Sequence, residues 1–266
     1  VPTYDTIGQS YSQVRRPDSR IVSALLDLLQ LEPGSRIADI GAGTGNYSEA
    51  LGNCGFCVFA VEPSPVMRLQ ATKHPNVQWL EGYAEKIPLP TSSVDAAIAI
   101  LATHHFSNLE KAISEMNRIT NNGTLLFLTF DPRQAEKLWI ADYFPAQWEE
   151  AQSIFPPLCD VMALIQKNSQ RIVKSYPFLL PHDLKDLFFA AGWRRPEIYL
   201  NSDVRAGISA LALADPKIVQ KGINQLKQDL ENGAWDAKYG EIRQREKLDA
   251  GYRFLCASST VFQRIT

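Results

Sequence analysis

Apolar residues in this chain gather into short runs separated by longer stretches of mixed polarity. Ile37-Ala38-Asp39-Ile40, Cys57-Val58-Phe59-Ala60-Val61, Val94-Asp95-Ala96-Ala97-Ile98-Ala99-Ile100 and Gly123-Thr124-Leu125-Leu126-Phe127-Leu128-Thr129 each predict a buried strand. Ahead of them, Ile21, Ala24, Leu25, Leu28 and Leu29 recur at helical spacing. Asn46 to Leu51 continues as a helix between the first two runs, giving the strand, loop, helix, strand order of a doubly wound α/β unit. Later, His182 to Trp193 reads as a helix closed by Gly192. A strand is expected around Glu197-Ile198-Tyr199-Leu200, helices between Val204 and about Ala250, and a last strand over Gly251 to Val261. No internal repeat or low-complexity tract interrupts the pattern.

The turn after the first run is Gly41-Ala42-Gly43-Thr44-Gly45. Glycine lacks a Cβ, so such a loop takes positive φ angles and lets a ligand lie against bare backbone. The second run ends at Glu62, where a carboxylate can accept hydrogen bonds from both hydroxyls of a ribose. That acid alone does not separate a nicotinamide dinucleotide from other nucleosides. The glycine spacing is G-x-G-x-G, and Asn46 stands where the dinucleotide pattern places its third glycine, which weakens a pyrophosphate reading. Asp39, two residues before the first glycine, repels phosphate and suits an ammonium group. The implied ligand carries a ribose and a cation.

These residues resemble the first motif of the class I S-adenosylmethionine (SAM) dependent methyltransferases, of the small-molecule, type 11-like kind. Gly82-Tyr83-Ala84-Glu85-Lys86-Ile87-Pro88-Leu89-Pro90 resembles the family's adenine-covering segment, Val94 to Ile100 its fourth strand, Thr103-His104-His105-Phe106 the following turn, and Gly123 to Thr129 its fifth strand. The match runs from about Pro33 to Phe130. It departs from the family at Tyr83, where an aspartate is usual, and at Asn121-Asn122-Gly123, where Pro-Gly-Gly is common. The resemblance implies a Rossmann-like, seven-stranded, mostly parallel sheet completed by an antiparallel last strand. It implies cofactor contacts from Tyr11, Arg16, Asp39, Gly41, Ala42, Gly43, Gly45, Glu62, Pro63, Met67, Tyr83, Ala84, Glu85 and Leu101. Arg16 is the expected partner of the methionine carboxylate, with Arg15 as its substitute, and Tyr11 a wall of the pocket.

With 266 residues, 45% of them apolar, the chain is expected to form one methyltransferase domain. Residues 1–32 would be an N-terminal helical arm, 33–131 the SAM-binding core, 132–181 a helical and aromatic insertion acting as substrate lid, and 182–266 the rest of the fold. The lid assignment rests on the crowding of Trp139, Tyr143, Phe144, Trp148 and Phe155 beyond the fifth strand. A formal net charge of -2 offers no basic stripe for a phosphate backbone, so nucleic-acid substrates are not expected. No apolar run reaches the roughly 20 residues that span a bilayer. The charged stretch Arg15 to Arg20 does not read as a signal peptide. A cytoplasmic monomer or homodimer acting on a small molecule is the expectation. The four cysteines, Cys54, Cys57, Cys159 and Cys256, are expected as buried free thiols rather than metal ligands, because nothing completes the one C-x-x-C.

Methyl transfer needs alignment of nucleophile, methyl and sulfur more than covalent help from the protein. His104 and His105, just past the fourth strand, are the candidates for a general base. Trp139, Tyr143, Trp148 and Asp131 are the candidates for acceptor contact. A protein that binds SAM without turnover and a nicotinamide-dependent oxidoreductase stand as alternatives.

Overall fold

The computed structural model describes residues 14–259. Seven strands form one sheet in the order β3-β2-β1-β4-β5-β9-β6. They are β1 (Arg36–Ile40), β2 (Cys57–Val61), β3 (Val77–Leu80), β4 (Val94–Ile100), β5 (Thr120–Phe130), β6 (Ile172–Pro177) and β9 (Tyr252–Ser258). A separate short pair joins β7 (Leu180–Pro181) to β8 (Lys247–Leu248). The strands from β1 to β5 pair in parallel, and β9 runs antiparallel between β5 and β6. The expected seven-stranded sheet with an antiparallel last strand is therefore present.

The register explains the apolar runs. Ile37 lies beside Val58 on one side and Ala96 on the other, so both faces of these strands must be covered by helices. On one face, α1 (Ser19–Leu29) lays Ile21, Leu25 and Leu29 into the core beside α2 (Asn46–Asn53). The Asp18 carboxylate caps α1 by accepting the Arg20 backbone N–H at 2.9 Å. On the other face, α4 (Leu109–Ile119) buries Ala112, Ile113, Met116 and Ile119 and packs with α7 (Leu158–Ser169) through Val161 and Ile165. Between them, α3 (Pro65–Leu69) is capped by Ser64, whose hydroxyl accepts the Met67 N–H at 3.3 Å.

Four expectations give way. The stretch 132–181 is not a lid throughout: only α5 (Ile140–Tyr143) and α6 (Pro145–Ile154) lie outside the sheet, whereas α7 and β6 are part of the core α/β fold. The larger addition instead follows β6, carrying α8 (Ser202–Ala206), α9 (Ser209–Ala212), α10 (Pro216–Glu231) and α11 (Ala234–Tyr239).

Second, residues 182–193 form turns rather than a helix. Phe188, Ala191, Trp193 and Arg195 donate their N–H groups two or three residues back, to Asp186, Phe188, Ala190 and Gly192. Tertiary demands override the helical period there: the Lys185 N–H is taken by Asp18 at 3.0 Å and the Asp186 side chain by Arg15 and Tyr47. Third, the strand expected at 197–200 is a 3-10 turn, Pro196–Leu200, opened by a proline that supplies no N–H.

The cysteines are free, but Cys57 and Cys159 are exposed, and only Cys256 is the buried thiol expected of all four. Cys57 sits at the entry of β2, where the strand has not yet passed under its helices.

Gly251 joins β8 to β9 at φ +85°, and a Cβ there would stand 2.4 Å from the Asp131 carbonyl oxygen. Gly251→Ala is expected to destabilise the fold by at least about 1–3 kcal/mol through backbone strain alone. Urea unfolding measures this; an unchanged midpoint would mean that the junction has other conformations open to it.

Candidate functional site

The order of strands reverses between β1 and β4, and in open α/β sheets ligands bind beyond the carboxyl ends of the strands at that point. A cavity of about 290 Å³ lies there, lined by the glycine loop after β1, the end of β2, the 83–85 segment and the turn after β4. Gly41 and Gly43 take φ of +72° and +60°, and the loop is tied down by its own backbone: the Gly41 and Ala42 N–H groups donate to Val61 O at 2.9 and 3.1 Å. Glu62, 6% exposed, braces the same loop. One of its carboxylate oxygens accepts the Gly43 N–H at 2.9 Å and the other accepts the Ser64 N–H at 2.9 Å. Glycine loop and acid are thus a single rigid unit presented to the cavity.

Of the expected cofactor residues, Gly41, Ala42, Gly43, Glu62, Pro63, Met67, Tyr83, Ala84, Glu85 and Leu101 line this cavity together. Asp39 does not. It lies 2% exposed behind the loop and accepts the Ser48 hydroxyl at 2.6 Å. Burial pushes its pKa up to about 6, against the opposing Ser48 hydrogen bond and with help from the Glu62 charge. Gly45 also faces away, because a Cβ on it would run into the Trp79 ring. Arg16 is exposed and borders neither cavity; Arg15 takes the inward position instead, since Asn46 holds the Arg15 carbonyl at 2.8 Å and Asp186 holds its guanidinium. Tyr11 lies outside the described residues.

A second cavity, also about 290 Å³, shares Arg15, Leu101 and His105 with the first. Its walls are Phe130, Phe155, Phe188, Phe189, Ile208, Leu213 and Tyr252, with Gln147, Glu150 and His104 as polar groups. Leu101, on the shared wall, has φ +52°, a conformation that side-chain-bearing residues avoid and that is held when surroundings impose it.

His104 is tilted against His105 at 3.8 Å between centroids and against Phe155 at 4.5 Å. Burial, then the neighbouring His105 and Arg15 charges, holds the His104 pKa well below the usual histidine value. Burial and Arg15 lower His105 to about 4. Both imidazoles are neutral at pH 7.

The expected acceptor contacts are elsewhere. Trp139 is 1% exposed, donates its indole N–H to Trp193 O at 2.7 Å and packs on Tyr143, Tyr199 and Trp235. Tyr143 donates its hydroxyl to Asp229 at 2.8 Å. Trp148 packs between Phe130 and Phe189, behind the second cavity's wall. Asp131 is a structural cap, accepting the N–H groups of Arg133 and Leu158 at 3.0 Å each. In their place the structure brings in Thr44, Asn46, Tyr47 and Asp186 at the first cavity, and Gln147, Phe155, Phe188 and Phe189 at the second. Phe155 belongs to the aromatic crowding already visible in the sequence, Thr44 and Asn46 to the glycine loop and its exit, whereas Gln147, Phe188, Phe189 and Asp186 carry no local signal.

Residues 38–128 match the family model described as "Methyltransferase domain". The chain is 56% identical to a candidate methyltransferase from an antibiotic biosynthesis pathway of Anabaena variabilis, whose crystal structure superposes with a TM-score of 0.91 over 92% of this chain and 99% of that one. The chain belongs to the class I SAM-dependent methyltransferases. A demethylmenaquinone methyltransferase of Renibacterium salmoninarum is 30% identical over 46% of this chain and 51% of its own length, so the chain spans about half the length of that curated relative. The phosphoethanolamine N-methyltransferase 2 of Haemonchus contortus, solved with phosphomonomethylethanolamine and S-adenosylhomocysteine, shares the fold at TM-score 0.60 and 17% identity, over 97% of this chain and 58% of that one. Among the described residues, no helix of this methyltransferase is long and apolar enough to cross a membrane.

The depressed His105 pKa sets a pH dependence. Between the unfolded value near 6.5 and the folded value of about 4, the unfolded chain binds more protons, so stability falls as pH drops through this window. His105→Gln is expected to reduce that slope in denaturant unfolding measured from pH 7 to 4. An identical slope in the variant would show that other groups carry it.

Proposed function

We propose that this methyltransferase binds SAM in the first cavity and methylates a small molecule held in the second. The observation that carries this reading is the pair of adjoining cavities with Arg15, Leu101 and His105 in common. Two sites that share a wall are what direct transfer between two bound molecules requires.

The residues present fit the cofactor. Glu62, held in place by two backbone N–H groups, faces the cavity as a carboxylate suited to the ribose hydroxyls. The Thr44 hydroxyl, also lining the cavity, is buried without a hydrogen-bond partner among the described residues. Arg15 supplies the cation for a carboxylate and Asp186 the anion for an ammonium group. Tyr83, more than half exposed at the rim, offers a ring edge and hydroxyl where the family usually has an aspartate. Bound there, SAM supplies an electrophilic methyl group, which a nucleophile's lone pair takes as the carbon–sulfur bond breaks.

The chain's own work is positional. Aromatic walls exclude water and orient the acceptor, and Leu101 fixes the spacing between the cavities. His105, lowered to a pKa of about 4 by burial and Arg15, is too weak a base to take the acceptor's proton; at the shared wall it serves as a neutral hydrogen-bonding group that orients the acceptor, and the proton is released to solvent with the product. In this reading α6, the 186–189 turns and α9, which line the second cavity, act as the cover over the acceptor.

Isothermal titration with SAM and S-adenosylhomocysteine tests the cofactor assignment. Binding in the micromolar range is expected, lost in Glu62→Ala and in Gly43→Val. Absence of heat with both ligands, together with thermal protection by NAD(H), would overturn it in favour of a nicotinamide enzyme. SAM binding with no turnover of any acceptor would favour a non-catalytic binding protein.

A further inference from the structure

Gln147 lies near the start of α6, is 2% exposed and lines the second cavity. Its side-chain oxygen is buried and has no hydrogen-bond partner among the described residues. Buried carbonyl oxygens are almost always bonded, and one on a residue that lines a cavity is satisfied most directly by a ligand's donor. His104 Nδ1 is a second such atom on the same cavity. Around these two polar points the walls are flat rings: Phe130 stacks on Tyr252 at 4.7 Å and meets Phe155 edge-on at 5.2 Å.

The charges narrow the ligand further. No uncompensated buried charge calls for an ionic ligand: Arg15 on the shared wall is paired with Asp186, and Glu150 is exposed to solvent. A neutral donor on a flat ring is left. His105 borders both cavities but Gln147 borders only the second, so the group read by Gln147 is distinct from the atom that faces the cofactor.

We propose that Gln147 is a specificity-determining residue: its side-chain oxygen accepts a hydroxyl of a neutral, aromatic acceptor at a position other than the one methylated. This rests on the methyltransferase reading of the site. It adds the substrate class, a ring carrying a non-reacting hydroxyl.

The test compares 2-naphthol, which donates a hydrogen bond, with 2-methoxynaphthalene, which only accepts one. Dissociation constants are measured by tryptophan fluorescence with and without saturating S-adenosylhomocysteine, whose own binding is followed by calorimetry. The wild type is expected to bind 2-naphthol about tenfold more tightly than its methyl ether, a difference of about 1.4 kcal/mol. Gln147→Met, similar in volume and lacking the oxygen, should abolish the preference, and Gln147→Glu should retain it; circular dichroism checks that both variants fold. Equal affinities in the wild type, an unchanged preference in Gln147→Met, or failure of the wild type to bind either probe would overturn the proposal. Should S-adenosylhomocysteine alone fail to bind, the cofactor reading falls, while the probe comparison in its absence still decides whether Gln147 reads a hydroxyl.

Discussion

Arg15 and Asp186 are 171 residues apart in sequence, and their nearly buried ion pair is where three parts of the chain meet. Arg15 comes from the segment before α1, Asp186 from the turns after β7, and Tyr47 from α2 donates its hydroxyl to the same carboxylate at 2.9 Å. A buried pair is costly to form and costlier to break singly, because the partner left behind is a buried, uncompensated charge. This pair therefore commits the chain on either side of the core to one position. Both its members line the first cavity, and Arg15 continues into the second. Its charge also lowers both histidine pKa values. The two cavities meet at this pair, and its cation adds to the burial that keeps the imidazoles neutral.

Beneath that pair, the cofactor side is built from backbone more than from side chains. Glu62 is held by the N–H groups of Gly43 and Ser64, and Ser64 in turn caps α3, so the end of β2 orders the loop after β1. Asp39 supports the arrangement from behind rather than facing the ligand, with Ser48 of α2 as its donor. The second cavity is built in the opposite way, from the rings of Phe155 just past α6, Phe188 and Phe189 of the 186–189 turns, Phe130 of β5 and Tyr252 of β9.

Much of the first cavity's lining was legible because it is local. Strand, glycine loop and acid lie within residues 36–62, and a G-x-G-x-G turn places its backbone the same way wherever it follows a buried strand. Errors arose where a polar or aromatic residue has two satisfactory surroundings. Trp139 and Tyr143 look the same in sequence whether they line a cavity or fill a core, and their indole and phenol groups found partners in Trp193 O and Asp229. Arg15 and Arg16 are adjacent, and only Asp186 and the Asn46 contact turn the first of them inward. The helix expected over 182–193 has the right period, yet its polar groups are drawn away by Asp18, Arg15 and Tyr47.

The sequence by itself determined the α/β class, four of the five strands of the parallel half (β3 is not among the predicted runs), the existence of the last strand, the glycine cradle and its acid. Each is written in short-range periodicity or in a backbone conformation that only certain residues adopt. Tertiary structure alone decided which of two neighbouring arginines faces the ligand, which aromatic residues are wall and which are core, and that Gln147 borders the second cavity. Those outcomes depend on partners 31 to 171 residues away in sequence or on a single unmet hydrogen bond, and neither leaves a local pattern in the chain.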